Sequence, residues 1–341
     1  MDIVTTIGPA SWDRPIVAVF LELGVRCIRF PFSKLRPDIH LANCAMVRDV
    51  ARDLGVSVLT MADLPGGKPR LNSRAPLEVE PARTYQVAFQ QAGAGASEFW
   101  IEPELVGCHV KPGDAFIIGD GENRFVVSDA GDGFMRGTFA RAGLMEWQRA
   151  FMPEGVPLKI PSLTARDKTF ARAAHAGRFD WLALSYVDSS DDVAVARAWL
   201  RDELDWQPYL VAKLETATAV ANAEAIARAA DAVMIARGDL AVDIGFERLW
   251  SAQKSIVEAC QRTGRYCIAA TGFLETLLTE PSATRAECMD FCAALEMGVD
   301  AIMFSTETSI GKHPVPVVET AVRLAESWQE ARASTVSSRR A

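Results

Sequence analysis

Tyr209-Leu-Val-Ala-Lys213-Leu-Glu215 sets a pattern that the rest of the chain repeats, and Met234-Ile-Ala-Arg237-Gly238-Asp239 is its next occurrence. Each segment is a short apolar run that ends in charged residues, which predicts a buried strand with polar chemistry at its carboxyl end. Neighbouring strands of this kind would bring one lysine and two carboxylates together. Such a group can hold a divalent cation beside a fixed positive charge, which suits a phosphorylated or enolate substrate.

The same pattern predicts eight strands, separated by segments with the length and periodicity of amphipathic helices. Three lie before the middle of the chain and five after it: Ile3–Ile7, Val25–Phe30, Ser57–Asp63, Trp181–Ser185, Tyr209–Lys213, Ala232–Ala236, Tyr266–Ala270 and Ala301–Phe304. Without the segment between the third and fourth strands, roughly 250 residues remain, the usual size of a closed (β/α)8 TIM barrel. An open doubly wound sheet is the alternative.

The segment after the third strand has a different character. From Leu64-Pro-Gly-Gly-Lys-Pro-Arg70 onwards the sequence is rich in glycine, and short alternating runs such as Arg124–Val127 are separated by Gly-Asp and Asp-Gly turns. This predicts a small antiparallel β domain inserted after strand 3, which could serve as a lid. We therefore expect a barrel domain over 1–66 and 158–326, an inserted β-barrel-like domain over 67–157 and a flexible tail over 327–341.

Composition excludes several classes of protein. The 341 residues carry a formal net charge of −8, which gives no electrostatic footprint for nucleic acid or an anionic membrane. The seven cysteines include no CxxC pair, which favours reduced thiols in the cytoplasm. The amino-terminal residues have no signal-peptide pattern, and no apolar run reaches about 18 residues. We expect a cytoplasmic protein that neither enters nor crosses a membrane.

Polar residues gather at or just beyond the carboxyl ends of the predicted strands, where barrel enzymes build their sites. They are Arg29, Ser33, Asp63, Lys68, Arg70, Ser185, Lys213, Glu215, Arg237, Gly238, Asp239, Thr271, Ser305 and Glu307. Two carboxylates with open coordination positions suit Mg²⁺ or Mn²⁺, so Glu215 and Asp239 are the candidate metal ligands. A solvated lysine at a strand end is the alternative interpretation of Lys213.

A sharp turn at Gly238 would open a short helix whose free N–H groups can hold a carboxylate or phosphate. An ordinary strand-to-helix turn is the alternative there. Neither a Walker A pattern nor GxGxxG occurs, so a nucleotide would have to be bound by other means.

Taken together, these strings resemble the pyruvate kinase family over residues 1 to about 326. The matching motifs are Ile3-Val-Thr-Thr-Ile-Gly-Pro-Ala-Ser11, Arg29-Phe-Pro-Phe-Ser33, Asp63-Leu-Pro-Gly-Gly-Lys-Pro-Arg70, Pro161-Ser-Leu-Thr-Ala-Arg-Asp167, Ala212-Lys-Leu-Glu215, Ile235-Ala-Arg-Gly-Asp-Leu240, Ala270-Thr-Gly-Phe-Leu-Glu275, Pro281-Ser-Ala-Thr-Arg-Ala-Glu287 and Ser305-Thr-Glu-Thr308. The family's fold is a TIM barrel interrupted by a small β domain, in agreement with the strand count. Its glycolytic reaction uses phosphoenolpyruvate, ADP and Mg²⁺ or Mn²⁺.

The resemblance implies a role for each matching position. Glu215 and Asp239 would bind the divalent metal, and Lys213 would stabilise the phosphoryl group in transfer. Arg29 and Arg70 would contact phosphate. Backbone N–H groups of Gly238 and Asp239 would bind the substrate carboxylate, and Thr271 would lie where the enolate is protonated.

The sequence also departs from the family pattern. Pro31-Phe-Ser33-Lys34 replaces Asn-Phe-Ser-His, so one ligand of the family's monovalent cation and a nucleotide-contacting histidine are missing. The monovalent-cation region implied by the resemblance would include Ser33, Asp63 and Lys68. Lys68 stands where many members carry glutamate, which resembles members that need no potassium. Gly272-Phe273 replaces Gln-Met after the threonine. The family's Lys-Gly-Val-Asn-Leu-Pro motif is only partly kept at Arg149–Glu154.

The family's C-terminal regulatory domain has no counterpart in the sequence, so we expect neither its usual effector control nor its full tetramer interface. A homo-oligomer formed through the barrel is compatible with the sequence.

Our leading hypothesis is an Mg²⁺-dependent, potassium-independent, pyruvate kinase-like phosphotransferase acting on phosphoenolpyruvate with ADP. The alternative is a metal-dependent lyase, hydrolase or transferase that handles pyruvate enolate, oxaloacetate or a phosphoenolpyruvate analogue without ADP. A non-enzymatic ligand sensor would leave Lys213, Glu215, Asp239 and Thr271 unexplained.

Overall fold

The computed structural model describes residues 1–91, 95, 97–102, 110–119, 121–145, 149–154, 161 and 163–338. Contacts between Cα atoms divide the chain into two compact units. The first comprises residues 1–65, 162–241 and 246–341, and the second comprises 66–161 and 242–245. The predicted insertion, 67–157, falls inside the second unit.

The first unit contains a closed barrel of eight parallel strands, numbered here along the whole chain. They are β1 (Asp2–Thr6), β2 (Cys27–Pro31), β3 (Leu59–Asp63), β13 (Trp181–Leu184), β14 (Tyr209–Leu214), β15 (Ala232–Ala236), β16 (Tyr266–Ala270) and β17 (Ala301–Phe304). Each strand pairs with the next of this series, and β1 pairs with β17 to close the ring. The predicted (β/α)8 barrel is confirmed, and an open sheet is excluded.

Helices follow the barrel strands, and local chemistry explains where several begin. Their bounds are α1 (Arg14–Glu22), α2 (Pro37–Asp53), α3 (Ala165–Ala176), α4 (Ser190–Leu204), α5 (Ala217–Ala221), α6 (Ala223–Ala229), α7 (Arg237–Ile244), α8 (Phe246–Thr263), α9 (Arg285–Met297), α10 (Thr306–Ser309) and α11 (Pro314–Ser338), with a 3-10 turn at Glu275–Leu278. Capping boxes start three of them, with Thr164, Ser189 and Thr284 as the N-cap residues. In each box the N-cap hydroxyl and a carboxylate three residues later satisfy backbone N–H groups.

Apolar side chains from all eight strands fill the barrel interior. Val4, Met61, Val211, Met234 and Ile268 belong to this cluster, together with small residues that let the larger ones interlock. A packed interior leaves no room for a polar site inside the barrel, so chemistry is confined to the strand ends.

The second unit is a closed β barrel in the order β10-β6-β7-β4-β12-β8-β9, with a separate β5–β11 pair. Its strands are β4 (Arg70–Ser73), β5 (Leu77–Val79), β6 (Tyr85–Ala88), β7 (Phe99–Glu102), β8 (Ala115–Ile118), β9 (Asn123–Gly131), β10 (Phe134–Phe139), β11 (Gly143–Met145) and β12 (Arg149–Pro153). The pairs are antiparallel except β6–β7, which is parallel. Aromatic side chains, including Tyr85, Phe99, Phe125 and Phe139, form its buried core.

The carboxyl-terminal part differs from the sequence prediction, because α11 continues to Ser338 rather than ending near 326. Residues 329–333, Gln-Glu-Ala-Arg-Ala, are good helix formers, so the helix can extend without an apolar face. Among the described helices, none combines the length and apolar character that a membrane span requires.

Candidate active site

Lys213 is the centre of a charged cluster at the carboxyl ends of the barrel strands. Its Nζ donates a hydrogen bond to Ser185 Oγ at 2.7 Å and lies 3.2 Å from Glu215 Oε1 and 3.3 Å from Asp63 Oδ1. The side chain is only 11% exposed. Burial alone would lower the pKa of Lys213, but the carboxylates of Asp63 and Glu215 raise it above its usual value. The lysine therefore stays charged inside the site.

Asp63 lies between two cations. Arg29 Nε donates to Asp63 Oδ2 at 2.6 Å, and Arg29 Nη1 donates to Thr6 Oγ1 at 3.0 Å. The other oxygen, Oδ1, faces Lys213 as an ion pair without the alignment of a hydrogen bond. Burial opposes ionisation of Asp63, but Lys213 and Arg29 lower its pKa overall. Asp63 is therefore ionised and fixes the separation of both cations.

Glu215 is a buried carboxylate held by a backbone donor. The N–H of Tyr186 donates to Glu215 Oε2 at 2.5 Å, and the residue is 1% exposed. Burial raises the pKa of Glu215 to about 7, with Lys213 acting against this shift and the negative charge of Asp239 adding to it. Glu215 therefore takes up a proton more readily than an exposed glutamate does, and the nearby charge of Asp239 adds to that tendency.

The start of α7 supplies backbone donors next to these carboxylates. Strand β15 ends at Ala236 and the helix begins at Arg237, with no residue between them. The N–H groups of Gly238 and Asp239 lie in the first helical turn, where backbone donors have no intrahelical acceptor. Gly238 has a steric role as well, because a Cβ there would be 3.0 Å from Thr271 Cγ2. The glycine allows Thr271 to approach the helix start closely.

Thr271 has a strained backbone. It follows β16 directly and has a φ of +77°, in the left-handed region that β-branched residues rarely adopt. Such strain costs about 1–3 kcal/mol and persists only where the surroundings hold it, typically at functional sites. The strain identifies Thr271 as a residue whose placement is under constraint.

The carboxylates fit the divalent cation that the family implies. Hard cations such as Mg²⁺ prefer oxygen ligands and retain open positions for water or substrate. Glu215 and Asp239 supply such oxygens; burial is the main cause of the raised pKa of Glu215, and the negative charge of Asp239, which a cation would neutralise, adds to it. No cluster of three or more metal-ligating His, Cys, Asp or Glu side chains occurs among the described residues. The assignment of Glu215 and Asp239 as metal ligands stays a prediction.

The structure brings most of the predicted site residues together in the first unit: Arg29, Asp63, Lys213 and Glu215 by direct contact, Gly238 by its approach to Thr271, and Asp239 by its electrostatic effect on Lys213. Ser33 lies in the turn after β2, where Lys34 N donates to Pro31 O at 2.9 Å. Lys68 and Arg70 belong to the second unit, so the geometry of the first unit does not test their roles.

Sequence reasoning gave no role to two groups that orient the charged side chains. In the sequence Ser185 is recognisable only as a strand-end residue, yet its Oγ accepts from Lys213 and donates to Leu64 O at 2.7 Å. Thr6 Oγ1 accepts from Arg29 in a similar way. The only available signal was the position of each hydroxyl at the carboxyl end of a strand.

Comparison with known proteins agrees with this geometry. The family model described as pyruvate kinase, barrel domain, matches residues 1–318. Pyruvate kinase of Agrobacterium vitis is 31% identical over 331 residues, covering 96% of this chain and 69% of the relative. The enzyme of Chlamydia trachomatis serovar D is 30% identical, covering 93% and 66%, and that of Thermococcus litoralis is 31% identical, covering 97% and 70%.

The chain thus spans about two thirds of the length of these relatives. The predicted resemblance is confirmed: this chain belongs to the pyruvate kinase family of phosphotransferases.

Proposed function

We propose that this chain transfers the phosphoryl group of phosphoenolpyruvate to ADP, forming ATP and pyruvate. The observation that carries the proposal is the buried Lys213 ammonium, held by Ser185, Asp63 and Glu215 beside the Glu215–Asp239 carboxylates. A fixed cation next to a cation-binding pair is what phosphoryl transfer requires, because that reaction is catalysed by positioning and charge neutralisation.

Each residue has a defined task in this proposal. The bond between phosphorus and the enol oxygen breaks, and a bond forms from phosphorus to a β-phosphate oxygen of ADP. Lys213 and Arg29 neutralise the charge on the phosphoryl oxygens, and the N–H groups of Gly238 and Asp239 orient the substrate carboxylate. Bound by Glu215 and Asp239, Mg²⁺ would supply further neutralisation of substrate oxygens. The enolate that remains takes up a proton at its methylene carbon, on the side of Thr271.

Replacing Lys213 by methionine tests the central role. With phosphoenolpyruvate, ADP and Mg²⁺, we expect pyruvate formation coupled to lactate dehydrogenase to fall by about 10³-fold or more, because a charge-stabilising group in a dry site is lost. A thermal melt of the Lys213→Met variant serves as the folding control. Turnover unaffected by Lys213→Met would sink the role assigned to Lys213.

A second candidate function omits ADP, and the altered β2–α2 turn favours it. Pro31 stands where the family has a monovalent-cation ligand, and Lys34 stands where it has a nucleotide-contacting histidine. His40 Nε2 donates to Lys34 O at 2.7 Å, which holds the turn in this form. In that case the enzyme would act on pyruvate enolate, oxaloacetate or a phosphoenolpyruvate analogue. Thermal shifts with Mg²⁺ plus oxalate, phosphoenolpyruvate, ADP or ATP separate the two candidates, since a ligand stabilises only the state that it binds. Stabilisation by oxalate but by neither nucleotide favours this second function.

We also propose that Lys68 makes the enzyme independent of potassium. The support is its position in the sequence, where many family members carry glutamate. Turnover should be equal in sodium and potassium buffers for the natural chain, whereas Lys68→Glu should make it depend on K⁺. A requirement for K⁺ in the natural chain would contradict the proposal. A cytoplasmic location is likewise proposed, supported by the free thiols of the six described cysteines.

A further inference from the structure

The turn that follows Thr271 has an unusual backbone throughout. Thr271, Gly272 and Leu274 all have positive φ, at +77°, +77° and +55°. Only the glycine adopts such values without strain. Two strained residues within four positions need a surrounding structure that holds them in place. Side chains packed on this turn, outside the residues that the proposed reaction uses, therefore hold it in this conformation.

Arg237 contacts both residues that follow Thr271. Its guanidinium carbon lies 3.8 Å from the centre of the Phe273 ring, a close cation–π stack. Its Nη2 donates to Gly272 O at 3.4 Å. Arg237 is 9% exposed, so water competes little for these contacts.

Helix α9 fixes the two partners of this stack. Asp290 accepts from Arg237 Nη1 at 3.2 Å and from Nη2 at 2.6 Å, a bidentate pair that sets the plane of the guanidinium. The next residue, Phe291, meets the Phe273 ring edge-on at 6.2 Å between centroids. Consecutive residues of one helix thus hold both the cation and the ring.

We propose that Arg237 is a positioning residue: stacked on Phe273 and clamped by Asp290, it holds the 271–274 turn so that Thr271 stays against Gly238. This inference rests on the proposed function, in which Thr271 lies where the enolate is protonated. The aromatic ring at 273 is one of the departures from the family's sequence pattern, so the stack is a property of this chain. We call Arg237, Phe273 and Asp290 the clamp. It acts on the protonation of the enolate, whereas Lys213 and the carboxylates act on the transfer of the phosphoryl group.

Two variants remove the clamp without removing a group assigned to substrate. Arg237→Lys keeps the charge but loses the planar fork, and Phe273→Leu keeps a buried apolar residue but loses the ring. Phe20→Leu is the matched control, because Phe20 is also a buried phenylalanine but belongs to α1, which follows the first barrel strand. It reports the effect of softening the barrel packing in general.

Amide hydrogen exchange tests the clamp independently of catalysis. Leu277 N donates to Leu274 O at 3.0 Å, so a loosened turn exposes the amide of Leu277. In the peptide spanning 271–280 we expect exchange at least about tenfold faster in both clamp variants and unchanged in Phe20→Leu. Unchanged protection in Arg237→Lys and Phe273→Leu would overturn the proposal, whatever the protein's activity.

Deuterium exchange into pyruvate tests the consequence for the proposed reaction. In D₂O with Mg²⁺ and ATP, a proton leaves the methyl carbon of pyruvate and a deuteron from solvent replaces it, which proton NMR follows. Both clamp variants should exchange at least about tenfold more slowly, since small misplacements of reacting groups are costly. Their stabilisation by Mg²⁺ plus oxalate should persist.

The outcomes separate the two ideas. A looser turn with an unchanged rate of pyruvate exchange would overturn the positioning role. If the natural chain exchanges no pyruvate protons and gains no stability from oxalate, the proposed function fails. The amide exchange of the 271–280 peptide still decides the clamp in that case.

Discussion

At the scale of single residues, a neutral neighbour, Ser185, orients the ammonium group of Lys213. Ser185 donates its hydroxyl hydrogen to Leu64 O, which leaves a lone pair directed at Lys213 Nζ. The carboxylates of Asp63 and Glu215 attract the ammonium from two sides but do not favour one rotamer of Lys213, whereas a hydrogen bond is directional. Ser185 therefore sets where the ammonium lies between Asp63 and Glu215.

Replacing Ser185 by alanine should lower turnover by about 10- to 100-fold, because the ammonium loses its directional partner while its charge is kept. Steady-state kinetics with phosphoenolpyruvate measure the effect. Ser189→Ala is the control: it removes the cap of α4 and should lower the free energy of unfolding by about 1 kcal/mol with unchanged turnover. Equal turnover in Ser185→Ala and the natural chain would show that the carboxylates suffice.

The sequence predicted the charges of the site but not their arrangement. Lys213 and Glu215 follow a strand pattern with a period of two, so their location at a strand end is a local property. The Ser185–Lys213 bond joins residues 28 positions apart and depends on the pairing of β13 with β14. The positive φ of Thr271 arises from packing and has no local signal, since threonine disfavours it.

At the scale of elements, helix starts and barrel strands were predictable, whereas the pairing in the inserted unit was not. A hydroxyl followed three residues later by a carboxylate, as at Thr164 and Asp167, is a local signature of a helix start. Strands β4, β7 and β12 pair across long sequence separations. Nothing in a local pattern specifies such partners.

The β2–α2 connection provides a pH-dependent prediction. His40 is 1% exposed and stacks on Phe32 with 4.7 Å between ring centroids. Burial lowers the pKa of His40 below its ordinary value of 6.5, although the hydrogen bond to Lys34 O acts in the opposite direction. The unfolded chain therefore binds a proton at a higher pH than the folded chain does. This contribution to stability is complete above about pH 6.5 and is lost as pH falls below it.

We expect the free energy of unfolding to fall between pH 7.5 and 5.5, with His40 contributing up to about 1.4 kcal/mol per pH unit below pH 6.5. His40→Gln keeps a side-chain donor for Lys34 O but does not titrate, so its stability should change less over the same range. Urea unfolding of both proteins at several pH values measures the difference. Parallel pH profiles would contradict the assignment.

At the scale of the whole molecule, an apolar surface on the barrel suggests association between copies. Phe246 and Trp250 lie one turn apart on α8 and are 78% and 62% exposed, and Met289 on α9 is 68% exposed. Gln253 Nε2 contacts Met297 Sδ at 3.3 Å, which ties α8 to α9. Exposed apolar patches commonly mark interaction surfaces. We propose that α8 and α9 form a homo-oligomer contact through the barrel.

Replacing Trp250 by lysine should shift the protein towards smaller species, because a charge would have to be buried in the contact. Sedimentation velocity over a range of protein concentrations measures the distribution. Val195→Lys changes a side chain that is also 63% exposed, but on α4, and should have no effect. A natural chain that is monomeric at every concentration would rule out the contact.

The central claim is that the phosphoryl group of phosphoenolpyruvate passes to ADP at the Lys213 site. Phosphorus-31 NMR of the purified protein with phosphoenolpyruvate, ADP and Mg²⁺ follows every phosphorus atom directly. We expect the phosphoenolpyruvate signal to be replaced by those of ATP, and Lys213→Met to abolish the conversion. Release of inorganic phosphate at the same rate with or without ADP would contradict it.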